Sequence, residues 1–136
     1  MKIPFAFGTA ALVSCVVFGT YPSYAFDLNG AWATDVSACG DIFGRTRDNE
    51  IFIKKDSDNY GGGFIVRHNM IVGKIAKCSI KSKKEDGPVT HLIATCSTDV
   101  ALANVQFNFR IKDDNNIVRI YPGVEELNTA YGRCRM

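Results

Sequence analysis

Five cysteines, two histidines and one short run of aspartates hold most of the reactive chemistry in this chain. Cys15 lies in an apolar N-terminal segment; the other four are Cys39, Cys78, Cys96 and Cys134. None of these forms a C-x-x-C pair and no histidine stands beside any of them, so the ligand spacing of a zinc site is missing. An even number of cysteines in a small exported chain reads instead as two disulfides. His68 and His91 have no catalytic partner close in sequence, and nothing resembles a G-x-S-x-G nucleophile turn. Asp56-Ser57-Asp58-Asn59-Tyr60-Gly61 imitates the opening of a calcium loop. Tyr60 takes the fifth position, however, and Arg67 stands where the bidentate acid belongs. The segment reads as an exposed loop that offers Asp56, Asp58, Tyr60 and Gly61 to a protein partner. No catalytic residue, metal ligand or cofactor is assigned.

Strands must position these residues, and their register selects one cysteine pairing out of three. Cys78 to Lys83 and Thr90 to Cys96 both alternate, with turn residues Glu85-Asp86-Gly87-Pro88 between them. Pairing Lys84 with Thr90 sets Ile80 opposite Ala94 and Cys78 opposite Cys96, with the apolar set on one face. A slip of one residue would destroy that match. The expected bridges are Cys78–Cys96 and, by elimination, Cys39–Cys134. Loop closure gives them roughly 3 and roughly 4.6 kcal/mol.

The rest of the chain reads mostly as strands of period two. Gly30 to Thr34 opens, and Asp35 caps a short helix through about Phe43. Ile51 to Lys54 is a second strand. Phe64 to Arg67 and Met70 to Gly73 form a hairpin around His68-Asn69, residues that tolerate positive φ. A change of inward parity predicts a bulge near Ile75. Asn104 to Lys112 alternates most cleanly, with Val105, Phe107, Phe109 and Ile111 on one face. Val118 and Ile120 are expected to return opposite Ile111 and Phe109, and a last strand covers Thr129 to Cys134. The expected fold is mainly β: a small antiparallel up-and-down barrel with one short helix after the first strand and two disulfides. Phe64, Val105, Phe107 and Phe109 would line an apolar cavity if that barrel were hollow. Lys77, Lys81 and Lys83 share an outward face.

Composition sets the outer bounds. The chain has 136 residues, 46% of them hydrophobic, and a formal charge of +2. It is too short for a TIM barrel, too apolar for native disorder and too nearly neutral for a dedicated nucleic-acid binder. Residues 1–25 read as a signal peptide, with Lys2, an uncharged stretch from Ile3 to Gly19, and Ser23-Tyr24-Ala25 at the cleavage site. That stretch is shorter than the roughly 20 residues a membrane span needs. Leu12-Val13-Ser14-Cys15 offers an alternative route, a lipobox that would anchor the protein at Cys15. Residues 26–136 then form a single barrel domain, periplasmic or secreted, without a transmembrane segment.

At Gly30-x-Trp32 the sequence resembles lipocalins and their calycin relatives. The resemblance implies that this motif starts a barrel and that an arginine near the last strand packs across the tryptophan, a part that Arg133 can take, with Arg119 and Arg135 as substitutes. A longer pattern runs from Leu28-Asn29-Gly30-Ala31-Trp32 through Tyr60-Gly61-Gly62-Gly63-Phe64-Ile65 and Lys83-Lys84-Glu85-Asp86-Gly87 to Asn104-Val105-Gln106-Phe107. It is similar to a family of small exported alphaproteobacterial proteins, which implies export and one domain without supplying an activity. The expected function is non-enzymatic binding through loops on a protein partner, in the manner of an inhibitor. The alternatives are a small apolar ligand in the barrel interior and, third, a small hydrolase, which needs a cleft joining His68 or His91 to a nucleophile.

Overall fold

In the computed structural model, which describes residues 4, 13–19 and 25–136, strand β1 (Gly30–Ala33) leads into a helical corner. The Asp35 carboxylate accepts from the Ser37 amide, capping a 3-10 turn (Val36–Ala38) that runs on into α1 (Cys39–Ile42). A small hairpin follows, β2 (Phe43–Arg45) paired with β3 (Ile51–Ile53). The chain then winds through β4 (Gly63–Arg67), β5 (Met70–Val72), β6 (Lys77–Asp86), β7 (Val89–Ser97), β8 (Leu102–Asp113), β9 (Asn116–Ile120) and β10 (Thr129–Arg133). Eight antiparallel strands close in the order β1-β10-β9-β8-β7-β6-β5-β4, an up-and-down barrel with no open edge, and β2–β3 lies outside it.

Two apolar cores result. Inside the barrel pack Leu28, Trp32, Phe64, Val66, Leu92, Phe107, Phe109 and Ile117, among others. Outside it, α1 and the β2–β3 hairpin bury Ala31, Ala33, Ile42, Phe43 and Ile65. β1 and β4 therefore carry apolar residues on both faces, which is why their alternation is blurred in the sequence. Both expected disulfides are present. Cys78–Cys96 crosses β6 and β7, and Cys39–Cys134 fastens α1 to the chain just after β10. Such bridges fit an oxidising, extracytoplasmic compartment. Among the described residues no helix is long and apolar enough to cross a membrane. The expected signal segment and cleavage site fall largely outside the described residues, within which Cys15 is exposed with a free thiol.

Several local expectations are corrected. Ile51 to Ile53 is a strand, but its partner is β2, and the pair packs on the barrel without entering it. The segment at Ile75 is the β5–β6 turn, closed by the Gly73 amide donating to the Ala76 carbonyl, and not a bulge. The bulges lie elsewhere. One inserts Lys81 into β6, so that Lys84 pairs with His91 and not with Thr90, while Cys78 still faces Cys96. Lys83 thereby moves to the inner face, opposite the buried Leu92, and its ammonium donates to the Phe26 carbonyl. The second inserts Lys112 into β8, so that Ile117 faces Ile111 and Arg119 faces Phe109, displacing the expected Val118 and Ile120.

Candidate functional site

Antiparallel winding gives the barrel two unlike ends. At one, the chain enters through Phe26 to Asn29 beside the turns at residues 68–69, 87–88 and 114–115. At the other lie the connections 34–62, 73–76, 98–101 and 121–128.

The entry end is plugged. Trp32 is fully buried, and its indole N–H donates to the Leu28 carbonyl at 2.8 Å. The Arg133 guanidinium lies over the indole at 4.3 Å and over Phe26 at 5.8 Å. Its N–H groups donate to the carbonyls of Asp27, Asn29 and Asp114, stitching the N-terminal segment to the β8–β9 turn. Gly30 makes room for this arrangement. Its φ is +134°, and a Cβ there would meet a guanidinium nitrogen at 3.0 Å. A dish of about 650 Å³ lies outside the plug, walled by Phe26, Glu85, Gly87, Pro88 and Asp114. It is a hollow between turns, floored by Thr90, Ile111 and Arg133.

The opposite end is hollow. A cavity of about 420 Å³ opens there, within the size range of small-molecule sites. Phe64, Val105, Phe107 and Phe109, which alternation turned inward, all line it, with Ile71 and the Cys78–Cys96 bridge nearer the rim, level with Ala103. Small residues form the mouth: Gly63, Gly73, Ala76, Ala101 and Ala103. Phe64 stacks on Phe109 at 5.6 Å and meets Tyr131 edge-on at 4.9 Å.

Three polar side chains reach the same space, Arg119, Tyr131 and Thr98, and alternation pointed to none of them as part of the lining. Arg119 is inward because of the Lys112 bulge, and its guanidinium lies 4.5 Å from the Phe107 ring centre and 4.8 Å from that of Tyr121. Tyr131 is half-buried, and burial foremost, with Tyr121 adding, raises the pKa of its phenol; the Arg119 charge opposes that rise. It remains a neutral donor throughout the ordinary pH range. The lining includes no Asp or Glu.

The aspartate loop is placed differently. Ser57 to Asn59 forms a 3-10 turn with Ser57 buried, and Asp58 pairs with Lys74. Gly61, at φ +135°, sits so close to Thr34 that a Cβ would meet its hydroxyl at 2.9 Å, and the Gly62 amide donates to that hydroxyl at 3.1 Å. Asp56 is exposed and Tyr60 is 46% exposed. The segment is thus pinned against the barrel at both ends. His68 occupies the β4–β5 turn at φ 48°. His91 faces outward from β7, its Nδ1 2.6 Å from Asn108 Oδ1 and its Nε2 3.9 Å from Asp86. Asn108 also accepts from the Gln106 amide, so this network ends in amides and not in a nucleophile.

The chain matches no protein-family model, no curated protein and no solved structure.

Proposed function

We propose that this is an exported protein, periplasmic or secreted, that acts by binding a small, largely apolar molecule in the open end of its barrel. The observation that carries this reading is the cavity of about 420 Å³ walled by Phe64, Val105, Phe107 and Phe109. An eight-stranded barrel of short strands can be filled entirely by its own side chains. This one is filled at the Trp32 end and left open at the other. Between a loop-borne protein partner and a barrel-borne small molecule, the pinned state of residues 56–62 and the apolar hollow favour the small molecule. The resemblance to lipocalins at Gly30-x-Trp32 is in keeping with the same reading.

The test is a panel of three amphiphiles with one decyl tail: decanoate, decanol and decyltrimethylammonium, each below its micellar concentration. At least one is expected to bind with one-to-one stoichiometry in calorimetry and native mass spectrometry. Ala103 lies at the mouth, opposite Cys96. Ala103→Trp should weaken that binding at least about 10-fold while leaving the thermal midpoint unchanged. Binding by none of the three, or undiminished binding by Ala103→Trp, overturns the reading.

A further inference from the structure

The cavity walls are mainly apolar and carry one fixed charge, which has no counterpart among the described residues. Arg119 is the single formally charged residue in the lining. Turning a cation inward costs desolvation, which a protein normally offsets with a carboxylate or with carbonyl acceptors. Among the described residues the Arg119 guanidinium makes neither an ion pair nor a hydrogen bond with protein; its recorded partners are the rings of Phe107 and Tyr121. Rings hold a guanidinium by its flat faces. Its N–H donors lie in the plane, at the edges, so this packing holds the group in place and leaves the donors unspent.

Arg133 shows that the fold satisfies an arginine where it uses one for structure. There the stacking on Trp32 is accompanied by donation to three backbone carbonyls. Arg119 has the stacking without the acceptors. The Tyr131 hydroxyl adds a neutral donor to the same space and likewise makes no hydrogen bond with protein among the described residues.

Resting on the cavity reading above, we propose that the ligand is an amphipathic carboxylate. Its apolar body lies against Phe64, Phe107 and Phe109, and its carboxylate is met edge-on by Arg119. A planar, two-oxygen anion fits a guanidinium that two rings hold and whose N–H donors are unspent, and the low polarity of the walls strengthens the pairing. A cationic head group is disfavoured by the same charge.

The three decyl amphiphiles decide this separately from the cavity itself. Decanoate should bind at least about 10-fold more tightly than decanol, with decyltrimethylammonium the weakest, as expected for one charge-assisted pair. Arg119→Gln should bring decanoate down to the affinity of decanol while changing decanol by less than about 2-fold, and Arg119→Lys should keep part of the preference. Equal binding of decanoate and decanol by the native protein, or unchanged decanoate binding by Arg119→Gln, overturns the head-group assignment and leaves the cavity standing. Failure of all three to bind removes both.

Discussion

The two ends of the barrel use the same kind of side chain for opposite purposes. At the entry end Phe26, Leu28 and Trp32 fill the bore, and Arg133 closes over them with its donors spent on carbonyls. The turns there are short and polar: His68-Asn69, Gly87-Pro88 and Asp114-Asn115. At the open end the connections carry bare apolar residues, with Val100 93% and Ile75 82% exposed. Beneath them lies the aromatic-lined cavity, and Arg119 packs on rings with no carbonyl or carboxylate acceptor among the described residues. One arginine spends its donors within the fold, and the other, on the reading proposed above, keeps them for a ligand. What separates them is the fate of their N–H groups, since both lie on aromatic rings at similar distances.

The largest effect that could break this comparison comes from truncating an aromatic at each end. Trp32 is enclosed on all sides, so Trp32→Ala should cost about 4 kcal/mol in equilibrium urea unfolding. Phe107 lines the cavity, and Phe107→Ala should cost about 3 kcal/mol, the low end for a buried aromatic, since fewer contacts are lost. Equal costs would mean that the open end is packed like the closed one.

A finer version compares the arginines themselves. Arg133→Gln removes the group that ties Asp27, Asn29 and Asp114 together and uncovers Trp32, for an expected loss of about 1.5 kcal/mol. Arg119→Gln should change the stability of the ligand-free protein by less than about 0.5 kcal/mol, in either direction, because an unpaired cation leaves no orphaned acceptor behind. Thermal and urea unfolding of the two variants side by side would show it. A loss at Arg119 as large as that at Arg133 would assign it to structure and not to a ligand.

The contrast also explains which parts of the molecule the sequence disclosed. β7 and β8 alternate cleanly because each has one face in the core and one in water, so Phe107, Phe109 and the Cys78–Cys96 bridge follow from period two alone. The helix after Asp35 and the hairpin at His68-Asn69 rest on local backbone chemistry and were equally legible. Bulges were not. In β6 the bulge turns Lys83 inward in place of Lys84, one cation for another, and in β9 it turns Ile117 inward in place of Val118, one apolar residue for another; the remaining exchange sets Arg119 inward in place of Ile120, so the apolar pattern pointed to the wrong register. Arg119 owes its inward position to such a bulge, which is why the residue with the most chemical interest in the cavity was visible only once the strands were paired. β3 was read as a strand but not as a member of an outer layer, because period two does not say which strand a neighbour will be.

The smallest expected effect concerns the carboxylates that shape one turn at each end. Asp113 precedes the β8–β9 turn at the closed end. The Asn115 amide foremost, and then the Asn116 side chain, donate to it and hold its pKa below the ordinary 3.8. Asp35 caps the helical corner that leaves β1 at the open end, and the Ser37 hydroxyl and amide lower its pKa in the same way. Both groups are fully exposed, so each shift is a modest local preference for the charged form. The direction follows from linkage: a carboxyl whose folded pKa is depressed contributes stability that is present above the unfolded value of 3.8 and disappears as pH falls through the lower folded value. Asp113→Asn and Asp35→Asn should therefore melt slightly below the native protein at about pH 5 and approach its melting temperature toward about pH 2. A difference that held constant across that range would show that neither charge, at either end, contributes through its ionised form.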